Sequence, residues 1–267
     1  MASFFSITAV LASNALRARQ LLYLKSTSSC RLPDCVRAHF HIPPASTGLL
    51  PTRTPARRSQ VLGLSVAPQD NTTMPRNIFI IGPQCTGKTT LVLRLLAALS
   101  NDDRFASSQP TIIHEVVRGI MKAKHITSDD FGSERWIDLQ RCTIEAQADA
   151  EESLRERWYI SDRSVLDPIV YAQQCKESSN ELRKTVGWEA SIERMKDGLV
   201  IFCEAGQRVW LSSDAVRIAF ADVQQWEMMN EQFKGLLTEK GISFQILPSH
   251  VVSIEERVKL VVAWLLE

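Results

Sequence analysis

From residue 76 onward, short runs of apolar and β-branched residues alternate with longer stretches in which apolar positions recur three and four residues apart. "NIFII" (77–81) is an uninterrupted apolar run, the pattern of a strand buried on both faces, and "TLVLRLLAALS" (90–100) follows it with helical spacing. The same alternation predicts strands at "TIIHE" (111–115), "WYISD" (158–162), "GLVIFCE" (198–204) and "ISFQILP" (242–248). Between them lie a short helix, "VVRGIMKAK" (116–124), and a long one over 133–158, which has few breakers. A further helical pattern over 221–241 ends at Gly241, a C-terminal cap. The final helix (253–267) is capped by Ser253, with Glu256 three residues on. Strands separated by helices pair in parallel through right-handed crossovers, so the expected fold is a three-layer α/β domain with a five-stranded parallel sheet. In such sheets ligands sit beyond the carboxyl ends of the strands, which makes the polar residues found there the candidates for chemistry.

Residues 1–73 read differently. The chain carries 31 basic and 30 acidic side chains; 8 and 2 of these fall in residues 1–73, which leaves 23 and 28 for the rest. The leading segment is rich in Ser, Arg, Ala and Leu and is broken by "HIPPASTGLLPTRTPARRS", which has linker composition. It is expected to be disordered, either as an organellar targeting peptide or as an extension ahead of a start at Met74. The first reading implies a mitochondrial protein and the second a cytoplasmic one. The apolar stretch near the amino terminus is interrupted and too short to span a bilayer, so no transmembrane segment is expected. The acidic balance of residues 74–267 argues against a nucleic-acid-binding surface. Six cysteines show no C-x-x-C spacing and the five histidines do not cluster with them, so neither a zinc site nor a disulfide framework is indicated.

"GPQCTGKT" (82–89) joins the first strand to the first helix and matches G-x-x-x-x-G-K-[ST]. Backbone N–H groups of such a loop and of the helix N-terminus converge on an anion. Gly82, Pro83, Gln84, Cys85, Thr86, Gly87, Lys88, Thr89 and Thr90 are therefore the expected nucleotide-binding set. Lys88 is placed to reach the β- and γ-phosphates and the Thr89 hydroxyl to ligate Mg²⁺. No N-K-x-D guanine-reading element follows a strand, which favours ATP over GTP.

Binding does not establish turnover, which needs charged groups facing an acceptor. Asp162, Arg163 and Ser164 end the third strand: the carboxylate suits the Mg²⁺ shell and the arginine suits charge on a transferring phosphoryl, with a structural ion pair as the alternative for Arg163. Asp167 before Pro168 reads as a helix cap. Glu115 is positioned to accept a proton from a substrate hydroxyl and Arg118 to orient that substrate, against the alternative of a surface i, i+3 ion pair. Gln140 and Gln147, seven apart on the long helix, share a face and suit contact with a base or nicotinamide-like ring, or else with solvent. Asp214 and Arg217 occupy the loop after the fourth strand, where a lid would close.

"NIFIIGPQCTGKTTL", "HEVVRGI", "ISDRSVLDPIVYA", "SSDAVRI" and "EERVKLVVAWL" together resemble the NadR/Ttd-like AAA domain, a P-loop NTPase group that includes ribosylnicotinamide kinase modules. The Asp-Arg-Ser element is also similar to deoxynucleoside kinases. The resemblance covers roughly residues 76–266. It implies a nucleoside- or nucleotide-kinase-like P-loop domain over 74–267 that uses ATP and Mg²⁺. Catalytic roles fall on Lys88, Glu115, Asp162, Arg163 and Arg217, metal ligation on Thr89 and Asp162, and acceptor contacts on Glu115, Arg118, Gln140 and Gln147. The implied activity is transfer of the γ-phosphate to a hydroxyl, with a nucleoside such as ribosylnicotinamide as the implied acceptor. The group's usual D-G-x-R appears here as Asp214-Ala215-Val216-Arg217, with alanine in place of the glycine. Because the group also includes a GTP- and phosphoinositide-binding member, a non-metabolic switch or scaffold is the alternative.

Overall fold

The computed structural model describes residues 76–175, 179–211 and 223–267. The leader over 1–73 and the lid residues Asp214 and Arg217 lie outside the described residues. Five strands, β1 (Ile78–Ile81), β2 (Thr111–Ile113), β3 (Tyr159–Asp162), β4 (Leu199–Cys203) and β5 (Phe244–Leu247), form one sheet in the order β2-β3-β1-β4-β5. Every pairing is parallel. The helices are α1 (Lys88–Ser100), α2 (Val116–Lys124), α3 (Glu134–Ser153), α4 (Leu166–Gln173), α5 (Trp188–Asp197), α6 (Val223–Glu239) and α7 (Ile254–Leu266).

β1 is the central strand, and all four of its side chains are fully buried. Their alternation divides the core into two layers. Ile78 and Ile80 join Ile160 and Ile201, Leu91, Leu95 and Leu99 of α1, and Val261 of α7. Phe79 points the other way, edge-on to Tyr159 at 5.7 Å, and Phe202 meets Phe233 of α6 at 5.9 Å. Each large apolar side chain buried in this way contributes about 1.5–3 kcal/mol, so a run of four on one strand fixes the middle of the sheet.

The element ends depart from the sequence expectation where tertiary contacts intervene. The long helix stops at Ser153 rather than 158, because a turn closed by Arg157 N–H to Leu154 O delivers Trp158 to the sheet, where its indole donates to Ser108 O at 3.0 Å. β2 ends at Ile113, and Glu115 becomes the N-cap residue of α2 instead of the tip of a strand. Trp188–Asp197 forms a helix that the sequence pattern left unassigned. The predicted caps are present. Gly241 sits at φ 65° while Ile242 N–H returns to Leu237 O, and Ser253 Oγ accepts from Glu256 N–H at 3.3 Å. Among the described residues Cys85, Cys175 and Cys203 are free thiols. No helix among the described residues is long and apolar enough to cross a membrane.

Two glycines test this packing in opposite directions. Gly82 has φ 132°, and a Cβ added there would lie 2.4 Å from Cys203 O. Gly82→Ala is expected to lose about 2–4 kcal/mol in urea unfolding. A Cβ on Gly119 in α2 meets nothing within 4 Å, so Gly119→Ala is expected to gain about 0.5–1 kcal/mol.

Candidate functional site

The loop after β1 is built to present backbone N–H groups. Gly87 occupies the N-cap position of α1 at φ 77° with no side-chain cap, so the first turn of the helix keeps its amides for an outside partner. Thr86 Oγ1 donates to Pro83 O at 2.9 Å and Trp226 of α6 donates its indole N–H to Gln84 O at 2.9 Å, which together fix the loop's curve. Cys85 lies within the curve at φ 61°. The buried Lys88 ammonium donates to Gly82 O at 2.7 Å and Pro83 O at 2.5 Å. Burial, reinforced by the Arg163 charge, pushes its pKa down to about 8. Arg257 of α7, also buried, stands against the loop: its Nη1 is 2.7 Å from where a Cβ on Gly87 would be, and its guanidinium lies over the Trp210 ring at 5.6 Å.

β3 brings the second set of residues alongside. Thr89 Oγ1 donates to Asp162 Oδ2 at 2.6 Å, while Asp162 Oδ1 is buried with no hydrogen-bond partner. A hydroxyl and a carboxylate with an unused oxygen are the hard oxygen donors that Mg²⁺ takes, so these residues fit the metal. Arg163 follows in the left-handed region at φ 91°, its N–H bonded to Ile80 O at 3.0 Å. The turn sends its guanidinium away from Asp162 to Glu115 Oε1, at 2.8 Å from Nε and 2.7 Å from Nη2, and to Asp167 Oδ1 at 3.2 Å. Its planar group also lies over the Tyr171 ring at 5.5 Å.

Glu115 accepts from Arg118 Nε at 2.5 Å as well, so the surface i, i+3 pair considered for these residues exists, but its side chain is only 9% exposed and its carboxylate is shared with Arg163. Burial raises the Glu115 carboxyl, yet the charges of Arg163 and Arg118 outweigh it and hold the pKa at about 2. Asp167 accepts from Ser164 N–H at 3.0 Å while Ser164 Oγ accepts from Leu166 N–H at 3.1 Å, which ties the turn after β3 to the first turn of α4, whose N-cap residue Val165 has no side-chain cap. The same Asp167 carboxylate also pairs with Arg163, so the turn and the ion pair share one carboxylate.

These charges rim an open cleft. Gln84 joins it to the phosphate loop, and α3 supplies Trp136, Gln140, Thr143 and Gln147 to its wall. Both glutamines are buried, not solvated. Gln140 Nε2 donates back to Trp136 O at 3.3 Å, and Gln147 Nε2 reaches Glu151 Oε1 at 2.8 Å and Ser161 Oγ at 2.9 Å. The structure thus brings Lys88, Thr89, Asp162, Arg163, Glu115, Arg118, Gln140 and Gln147 to one end of the sheet. Trp136 and Tyr171 on the wall were not singled out by the sequence; the spacing 136, 140, 143, 147 on α3 is the signal that would have found Trp136, while Tyr171 carries none.

A family described as AAA domain matches residues 77–257, from the first residue before β1 to the guanidinium against the loop. The chain belongs to the AAA domain family. Among solved structures, this AAA domain resembles deoxyadenosine kinase from M. mycoides with bound dATP, at 14% identity and TM-score 0.52 over 72% of this chain and 100% of that one. It is also similar to NadR protein in complex with NR, at 18% identity and TM-score 0.48 over 70% of this chain and 51% of that one. The curated proteins contain no match. The fold is that of a P-loop NTPase of the kinase type.

Glu151, behind the cleft wall, offers a pH test. Burial pushes its carboxyl up to about 7, above its unfolded value. The folded state therefore holds this proton more tightly than the unfolded chain, and the stability it contributes at acid pH is lost as pH rises through about 7. Glu151→Gln is expected to remove this dependence, gaining on the order of 2–3 kcal/mol over the native chain at pH 8 relative to pH 4.5. Denaturant midpoints at the two pH values measure the gain.

Proposed function

We propose that the protein is an ATP- and Mg²⁺-dependent small-molecule kinase that transfers the γ-phosphate to a hydroxyl, with a nucleoside such as ribosylnicotinamide as the acceptor class. The observation that carries this reading is the division of labour at Asp162 and Arg163. Adjacent residues at one strand end face the Thr89 hydroxyl on one side and the Glu115-lined cleft on the other. A site for nucleotide binding alone has no need of the second half. The fold shared with a deoxyadenosine kinase supports the same reading.

When bound, ATP with Mg²⁺ supplies the phosphoryl group and neutralises much of its charge. Thr89 and Asp162 would hold the metal, and the loop amides with Lys88 would hold the phosphates. Lys88, which donates to the Gly82 and Pro83 carbonyls, would turn to the phosphate oxygens. Arg163, bound to Glu115 and Asp167 beside the cleft, would add positive charge on the acceptor side. With its pKa held at about 2, Glu115 is a weak base. Its role is to accept the hydrogen bond of the acceptor hydroxyl and orient it, which suits a reaction governed by positioning and charge stabilisation. Arg118, Gln140 and Gln147 complete the acceptor side, and Arg217 is the lid candidate.

The test is a panel of nucleosides incubated with labelled ATP. Acceptor-dependent transfer is expected, falling by on the order of 10²–10³ in Asp162→Asn as electrostatic support is withdrawn. Lys88→Ala is expected to abolish calorimetrically detectable ATP binding. ATP bound with no transfer to any acceptor would sink the kinase and leave a nucleotide-dependent switch.

A further inference from the structure

Arg257 on α7 is a buried cation with no anion beside it. The residue is 4% exposed, its Nε has no hydrogen-bond partner, and no carboxylate pairs with it among the described residues. Glu255 and Glu256, its neighbours in sequence, are exposed. Its side chain meets the Trp210 ring at 5.6 Å and the Cys203 thiol. Burial pushes that thiol up, so it stays neutral and offers no counter-charge. A guanidinium withdrawn from water without an anionic partner costs stability. Its position therefore points to an anion that the fold does not itself supply.

The loop defines where that anion sits. Arg257 Nη1 lies 2.7 Å from where a Cβ on Gly87 would be, and Gly87 is the N-cap residue of α1, whose first amides have no side-chain cap. A phosphate held by those amides is close to the guanidinium, and in so buried a setting the attraction between them is little screened. The sheet order decides which phosphate this is, because β3 and β4 flank β1 on opposite sides. Asp162, Glu115 and Asp167 lie on the β3 flank and are engaged with Thr89, Arg118 and Arg163. Arg257 lies on the β4 flank, against Cys203 at the end of that strand. A phosphoryl group bound for the cleft must face the β3 flank, which leaves the nucleoside end of the donor on the β4 flank.

We propose that Arg257 is a nucleotide-binding residue, the counter-charge on the β4 flank for the α-phosphate of the donor. This rests on reading the loop as the donor-nucleotide site and not on what accepts the phosphoryl group. Lys88 and Arg257 then grip the phosphate chain from two sides, Lys88 giving up carbonyl partners to do so and Arg257 giving up none. The Trp210 ring holds the guanidinium against the loop in the meantime.

Calorimetry with ADP and Mg²⁺, a pair that binds without turnover, tests the assignment together with urea unfolding of the empty protein. Arg257→Met puts an apolar chain of similar reach in place of the guanidinium. It is expected to weaken ADP binding by at least about tenfold. The urea midpoint of the empty protein should stay level or rise, because an uncompensated buried charge has been removed. Arg257→Lys, which keeps a charge, is expected to restore most of the affinity. A purely structural arginine gives a different pattern, in which stability falls and affinity holds. A lowered midpoint or failure of Arg257→Met to fold, ADP affinity unchanged by that substitution, Arg257→Lys binding no better than Arg257→Met, or a native chain that binds no ADP overturns the proposal. ADP affinity that depends on Arg257, with no phosphate transfer from ATP to any acceptor, sinks the kinase reading and leaves Arg257 in place.

Discussion

The register of β3 against β1 is the constraint on which the site depends. Ile80 lies opposite Asp162, and the next amide, that of Arg163, closes onto Ile80 O. This alignment puts a carboxylate beside the first turn of α1 and leaves Arg163 at the strand's edge, where only a left-handed backbone can turn its side chain toward α2 and α4. That conformation costs about 1–2 kcal/mol for a residue with a Cβ. The guanidinium offsets it by binding two carboxylates and an aromatic face. A slip of one residue would exchange the strand's two faces and separate Asp162 from Thr89.

The charges around this turn have been arranged in advance. Burial alone would discharge Glu115, yet two arginines keep it ionised far below the usual carboxylate range. Burial pushes Asp167 up, even though Arg163 and Lys88 pull it the other way. Glu151 has weaker support, with Arg194 beyond hydrogen-bond distance of Oε2, and so remains poised near neutrality. Carboxyl groups within one domain are thereby set to different tasks by their neighbours, not by their own chemistry.

Much of this was legible in the sequence because it was local. The phosphate loop, the strand on either side of each crossover and the caps at Gly241 and Ser253 are written in consecutive residues. Asp162 and Arg163 were found because strand ends are privileged positions in a parallel sheet. The strand order and the sharing of Arg163 between Glu115 and Asp167 were not legible, since each depends on segments far apart in the chain. The two glutamines were read onto one helical face, but whether that face met solvent or a cleft was decided by α2 and α4, which no spacing on α3 reports. The end of α3 was overestimated because helix propensity through "RERW" gave way to the demand for Trp158 at the sheet.

The contact between α7 and the loop carries a further consequence. Arg257 Nη1 lies 2.7 Å from where a Cβ on Gly87 would sit, at a φ of 77° that itself favours glycine, while four residues on, Val261 is buried in the core beneath β1. The same helix thus supplies one buried apolar anchor and one guanidinium against the loop, so the loop's far wall is complete only once α7 has packed.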